Sequence, residues 1–271
     1  MKIYTKALLA IVRRELNERR TYKTQMLLTA ISTVVGLVQF GILGLFLSGA
    51  NDLPGMERYG GNVVGFMIVG SMFSGLLLLA MSSLKSSIQE EQVKGTLELI
   101  ASSRVGVIGH AVLSAVFSLS SSLVMSLAIC YLFAYVFSFN IEGSILAIFA
   151  VALLGLVAMG AIGLLAAGYI LVSKKGEPFT WAFGLLSGLF SGVLYPVQIF
   201  PHWLQGFAYA LPATGTLDAI RLIALEGHSL FDVINLLWSP IVFAVVGVPL
   251  GVFALRRGLW KARKEGSIGE Y

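Results

Sequence analysis

Long apolar stretches alternate with short charged segments along the whole sequence. Six stretches contain no Asp, Glu, Lys or Arg: residues 24–51, 59–84, 105–141, 143–173, 178–217 and 233–255. Each is longer than the about 20 residues that a helix needs to cross a bilayer. The pattern predicts an all-α integral membrane protein with six transmembrane helices, at about residues 25–49, 62–84, 108–137, 144–172, 179–195 and 233–255.

The composition favours the same class of protein. Hydrophobic residues make up 57% of the chain and charged residues only 12%, whereas soluble domains are nearer a quarter charged. The single cysteine, Cys130, excludes an intramolecular disulfide and a cysteine metal cluster. We expect one transmembrane domain, residues 1–271, whose partner is the lipid bilayer.

The basic residues predict the orientation of the chain. If both termini are cytosolic, all of the 19 lysines and arginines except Arg58 and Arg221 fall in cytosolic segments. Such a bias orients multi-pass proteins, and it explains the net charge of +5 without a nucleic-acid partner. We therefore expect a multi-pass protein of the plasma or inner membrane with both termini cytoplasmic.

The first residues predict an amphipathic helix, over 2–22, that lies on the membrane surface. Its arginines lie between or beyond apolar residues at roughly helical spacing. These apolar residues are Ile3, Ala7, Leu8, Ile11, Val12 and Leu16.

Residues 85–104, with the sequence KSSIQEEQVKGTLELIASSR, are the longest charged interruption between apolar stretches. Gly95 can break a helix, and Thr96 can cap a new one. We expect a short, half-buried helix after Thr96 on the cytosolic side. The acidic residues of this segment form either a docking face for a partner or an ordinary solvated face.

A second irregular segment, residues 196–230, precedes the last predicted span. Its prolines each remove a backbone donor and disfavour helix just before them. We expect two short outer or re-entrant helices, the second capped by Thr216 and ending near Gly227. Broken backbone at membrane depth must be buried in protein or line a cavity. The i, i+3 spacing of Asp218 and Arg221 predicts a local ion pair.

Small and polar residues within the spans predict helix packing or a transport pathway. Gly184, Gly188 and Gly192 recur at every fourth position, which lets helix backbones approach closely, either within the chain or at a dimer interface. Gly247 and Gly251 form a weaker version. Gln39 is the most polar central side chain of the first span, and it either lines a pathway or bonds to a neighbouring helix.

Two motifs resemble one known family. The pattern Glu91-x-x-x-Gly95-Thr96-Leu97-Glu98 resembles the loop between spans two and three of ATP-binding-cassette (ABC) exporter permeases with the type 2 membrane domain, the type V exporter-like fold. The outer segment resembles the same family, with spaced prolines that end in an arginine before the last span. Its matching residues are Tyr195, Pro196, Pro201, Pro212 and Arg221.

The resemblance implies that residues 85–104, which we call the coupling segment, sit in a groove of a separate ATPase subunit. The implied coupling residues are Glu90, Glu91, Gly95, Thr96, Leu97 and Glu98. The chain would be the permease subunit of an exporter, paired with a cytosolic ABC ATPase and with a second copy or a homologue. No phosphate-binding Gly-x-x-x-x-Gly-Lys-Ser/Thr loop occurs, so we expect no cofactor in this chain, with ATP and Mg on the partner.

The apolar, phenylalanine-rich spans favour a lipophilic small molecule, drug or lipid as the substrate, while the resembled family also exports polysaccharides and ions. A secondary carrier or channel is the alternative, but it usually needs an ionisable residue in mid-span. A membrane-embedded enzyme acting on lipid is disfavoured because no carboxylate or histidine cluster is present. We expect a transport subunit without a catalytic or metal site.

Overall fold

The computed structural model describes residues 10, 13–14, 23–49, 54–103, 105–173 and 178–264. Over these residues the chain is helical and contains no β-strand. The helices are α1 (Lys23–Ser48), α2 (Val63–Val93), α3 (Leu97–Ser102), α4 (Gly106–Val136), α5 (Ile145–Ser173), α6 (Pro178–Phe190), α7 (His202–Ala210), α8 (Pro212–Glu226), α9 (Trp238–Val242) and α10 (Val248–Lys264). The predicted surface helix, residues 2–22, lies outside the described residues except for Ala10, Arg13 and Arg14, which are helical.

Five helical segments of the described chain are long and apolar enough to cross a membrane: Leu27–Ser48, Val63–Glu91, Gly106–Val136, Ile145–Ile170 and Trp238–Lys261. They correspond to five of the six predicted spans. The helix of the second span continues without a break into the coupling segment, so α2 ends at Val93 rather than at residue 84.

The fifth predicted span is much shorter than expected. Helix α6 has 13 residues and ends at Phe190, so it measures about 20 Å against a hydrocarbon core of about 30 Å. The chain turns at Gly192, whose φ of 74° is left-handed and ends the helix. The prediction that Gly192 continues the helical stripe of Gly184 and Gly188 is therefore wrong, and the count of six spans stays a prediction.

The last long helix begins at Trp238, later than the predicted residue 233, and it reaches Lys264. Between α9 and α10 it widens into one π turn, Phe243–Gly247. Pro249 explains the widening, because a proline lacks the N–H donor and its ring collides with the carbonyl four residues earlier.

Helices α2, α5 and α8 form the centre of the molecule, and residues 211–225 are buried throughout. Helices approach one another closely at glycines that do not belong to the predicted stripe of Gly184, Gly188 and Gly192. A Cβ atom on Gly168 would lie 2.7 Å from the Ala254 carbonyl carbon, and one on Gly251 would lie 2.6 Å from Leu164 Cβ. By contrast, a Cβ on Gly188 would meet nothing within 4 Å. Helix α10 therefore packs against α5 through backbone contact, in the manner of small-residue interfaces in membranes.

Candidate functional site

The coupling segment folds as a helix end, a glycine turn and a second short helix. Gly95 has a φ of 68°, a left-handed conformation that suits glycine at the end of a helix. The Thr96 N–H donates to the Glu91 carbonyl at 3.0 Å and thereby closes the turn. The Thr96 side chain does not cap α3, so that prediction is wrong; its hydroxyl donates instead to the Glu91 carboxylate.

Glu91 is buried at the junction of several segments, with 3% of its surface exposed. Arg14 Nη2 lies 2.6 Å from Glu91 Oε1, and Arg14 Nη1 lies 3.5 Å from His110 Nε2. We call Arg14, Glu91, Thr96 and His110 the Glu91 cluster. It joins the N-terminal segment, α2, the start of α3 and α4. Because a buried charge left without its partner is costly, these groups hold one another in place.

The neighbouring glutamate has the opposite environment. The Glu90 side chain is 62% exposed and lies 3.7 Å from the Lys94 ammonium, one helical turn away. Val93 and Leu99 are also exposed, at 87% and 73%. The exposed face of the segment therefore carries Glu90 and two apolar side chains, while the Glu91 carboxylate is inside the fold. The Leu97 and Glu98 side chains lie outside what the structure describes.

The outer segment contains two helices, as expected, but the second begins earlier. Pro212 occupies the first turn of α8, where its missing donor costs nothing. Thr216 consequently lies inside the helix and donates to the Pro212 carbonyl at 2.7 Å, so its predicted capping role is wrong. Gly227, with a φ of 67°, ends α8.

Arg221 is a buried polar anchor on α8, with 2% of its surface exposed. Its guanidinium donates to the carbonyls of Gly192 at 2.7 Å, Val193 at 2.9 Å and Phe66 at 3.2 Å. It also lies 3.6 Å from the centre of the Phe66 ring. The end of helix α6, which we call the break after α6, leaves carbonyls without helical partners. Arginine has enough donors to satisfy several of them. Arg221 thus fastens this break to α2.

Asp218 has different partners, so the predicted Asp218–Arg221 ion pair is wrong. Its carboxylate accepts hydrogen bonds from the hydroxyls of Tyr59 and Tyr209, the latter at 2.7 Å, and Arg58 Nη2 lies 3.5 Å away. Burial, followed by the Asp218 charge, raises the pKa of Tyr59 above its ordinary value, which keeps this phenol a donor. We call Arg58, Tyr59, Tyr209 and Asp218 the outer cluster.

The proline motif is tied to the outer cluster through an amide side chain. Gln198, two residues after the buried Pro196, donates to the Tyr209 hydroxyl at 3.1 Å. The Tyr195 hydroxyl donates to the Leu189 carbonyl at 2.6 Å, near the end of α6. Pro201 precedes the first residue of α7. Tyr59 and Tyr209 were not predicted, because no local pattern distinguishes them from other aromatic residues.

The remaining predicted residues are apart from both clusters. Gln39 is exposed on α1, and a Cβ added to Gly184 would lie 3.7 Å from Met81 Cε. Among the described residues, no three His, Cys, Asp or Glu side chains group as a metal site requires. The two polar clusters lie near opposite ends of α2.

One family model, ABC-2 type transporter, matches residues 6–225. The match runs from the N-terminal segment through the coupling segment, the Glu91 cluster, Arg221 and nearly all of α8. No curated protein matches the chain. Together with the apolar helices, the match covers most of the sequence and shows the family. The chain belongs to the ABC-2 type transporter family and is a multi-pass membrane permease subunit of an ABC transporter.

Proposed function

We propose that this permease serves an ATP-driven exporter, in which a separate cytosolic ATPase acts on the coupling segment. The Glu91 cluster carries the proposal. A segment that transmits force must be attached rigidly to the spans, and Glu91 attaches the Gly95 turn to Arg14 and lies beside α4. The ATPase binds the exposed face of the coupling segment, which carries Glu90, Val93 and Leu99.

Helix α2 supplies a physical connection between the two polar ends. It runs unbroken for 31 residues, about 45 Å at 1.5 Å per residue. Phe66 lies near its start and Glu91 near its end. The Phe66 carbonyl accepts from Arg221. A displacement of the coupling segment would therefore move the helix that holds the break after α6.

The rest of the proposal concerns topology, assembly and substrate. Both termini lie in the cytosol. Helix α6, together with the re-entrant outer segment, forms the fifth of the six membrane crossings. Two permeases enclose the pathway, since one bundle offers few helices around it. The exposed apolar faces of α1, α4 and α10 meet lipid or the second permease, and the substrate is a lipophilic small molecule, drug or lipid.

The first test is a pull-down of the tagged chain from its native membranes in mild detergent, with ATP hydrolysis measured on the product. We expect a soluble ATPase to co-purify in a stoichiometric amount with the permease. The transport substrate should stimulate its ATP hydrolysis. A chain that purifies alone and without hydrolysis would contradict the exporter and favour the secondary carrier or channel, which ion flux in liposomes would then test.

The second test compares two adjacent glutamates. Glu91→Gln removes the charge that faces Arg14, and we expect substrate-stimulated hydrolysis to fall about tenfold, the effect of weakening the charged hydrogen bonds by about 1.4 kcal/mol. Glu90→Gln removes the same charge one residue away, on the exposed face. We expect it to change substrate-stimulated hydrolysis less than twofold, and any further effect to be a weaker binding of the ATPase.

A charge exchange separates positioning from mere stability. Glu91→Arg places two cations together and should abolish stimulation, whereas Glu91→Arg combined with Arg14→Glu should recover part of it. Equal hydrolysis in Glu91→Gln and Glu90→Gln, with no recovery in the exchanged pair, would show that the Glu91 cluster does not transmit coupling.

A further inference from the structure

We propose that the start of α4 and the last part of α10 form a binding site for one anionic phospholipid of the cytosolic leaflet. A pocket of about 300 Å³ lies between these helices, lined by residues 105–108 and by Arg256, Leu259 and Trp260. The inference uses the cytosolic orientation proposed above, but neither the ATPase nor the Glu91 cluster takes part in it.

The pocket combines one cation with apolar walls. Arg256 is exposed, and among the described residues no carboxylate forms an ion pair with it. Val107 and Leu259 are buried core residues that supply the apolar wall. An exposed guanidinium beside an apolar wall suits a ligand with a phosphate group at one end and a hydrocarbon chain at the other.

Trp260 marks the depth of the pocket in the membrane. The indole is 63% exposed on the end of the last membrane-crossing segment, where tryptophan prefers the boundary between headgroups and hydrocarbon. The Lys264 ammonium lies 5.4 Å from the centre of its ring and adds positive charge one turn further out. Because Arg256 lines the same pocket, a headgroup phosphate beside Trp260 is within reach of its guanidinium.

An exposed apolar line leads from the pocket along α4. Ile108 lines the pocket, and Val112 and Val116 follow on the same helical face at intervals of four residues. Val112 is 38% exposed and Val116 is 51% exposed. An acyl chain lying on this face explains the choice of a phospholipid over free phosphate, which needs no apolar surface.

The test counts lipids bound to the purified full chain by native mass spectrometry after reconstitution in equal parts phosphatidylglycerol and phosphatidylcholine. We expect one retained phosphatidylglycerol per chain. Arg256→Gln should weaken this binding about fivefold, as expected for one basic residue near a membrane surface. Arg256→Lys should retain most of it.

Arg257→Gln is the matched control, because it removes the same charge from the next residue of the same helix, outside the pocket. It should change the binding less than twofold. Equal losses in Arg256→Gln and Arg257→Gln would overturn the site in favour of diffuse surface charge. Three other outcomes would also overturn it. Both lipids could be retained equally, 10-fold excess inorganic phosphate could displace the phosphatidylglycerol, or a second permease chain could be bound in place of the lipid.

The result is independent of the exporter proposal. Glu91→Gln should leave lipid retention unchanged, and Arg256→Gln should leave ATPase co-purification intact. A wild-type chain that retains phosphatidylglycerol but co-purifies with no ATPase would refute only the proposed function.

Discussion

Arg221→Ala is expected to be the most destabilising substitution at any polar residue of the described chain. It leaves the carbonyls of Gly192 and Val193 without their donor and also removes the bond to the Phe66 carbonyl, which lies inside α2. At about 1–3 kcal/mol for each of the two unsatisfied carbonyls, and with the bond to Phe66 lost as well, the total is about 3 kcal/mol. We expect the apparent unfolding midpoint in detergent to fall by about 10 °C.

Arg58→Ala is the control, since it removes the same charged group from a side chain that is 38% exposed and contacts the Asp218 carboxylate at 3.5 Å. Its loss should cost less than about 1 kcal/mol. Arg221→Lys keeps the charge but has fewer donors, so its midpoint should lie between those of the wild type and Arg221→Ala. Equal midpoints for Arg58→Ala and Arg221→Ala would show that the backbone break does not depend on Arg221.

Gly168→Ala is expected to separate α5 from α10. The added Cβ would lie 2.7 Å from the carbonyl carbon and 2.8 Å from the oxygen of Ala254, both backbone atoms that cannot turn aside. Overpacking of this kind costs about 1–3 kcal/mol. We expect a lower unfolding midpoint and a smaller fraction of monodisperse protein in size-exclusion chromatography.

Gly160→Ala serves as the matched substitution on the same helix, because a Cβ there would meet nothing within 4 Å. Replacing this glycine should leave stability unchanged or raise it by about 0.5–1 kcal/mol, the ordinary gain in a helix interior. A midpoint for Gly168→Ala that matches that of Gly160→Ala would mean that α5 and α10 are not in backbone contact.

The apolar pattern predicted the long helices well and the irregular ones poorly. Helices α1, α4 and α5 lie where charge-free stretches predict them, and α2 begins where predicted, because a run long enough to cross a bilayer leaves little choice of structure. The prediction for residues 178–217 was wrong about the end of the helix, because the absence of charge does not show where a helix stops. Gly192 stops α6 there, but glycine occurs inside other helices of the chain.

Predictions of side-chain roles failed where spacing was the only guide. Thr96 and Thr216 both stand at plausible capping positions, yet each hydroxyl bonds elsewhere. The i, i+3 spacing of Asp218 and Arg221 permits an ion pair, but tertiary partners satisfy both groups. The stripe of Gly184, Gly188 and Gly192 is regular in sequence, whereas the tight crossings use Gly168 and Gly251.

By itself, the sequence determined that this is a multi-pass membrane protein and which family it belongs to, and it predicts the side on which its basic segments lie. These properties follow from hydropathy, charge and short motifs, which are local along the chain. Only the tertiary structure decided which of two adjacent glutamates is buried, and that Arg221 holds the break after α6. The contacts responsible join residues far apart, 77 positions for Arg14 and Glu91 and 155 for Phe66 and Arg221. They depend on how the helices pack, which no local pattern specifies.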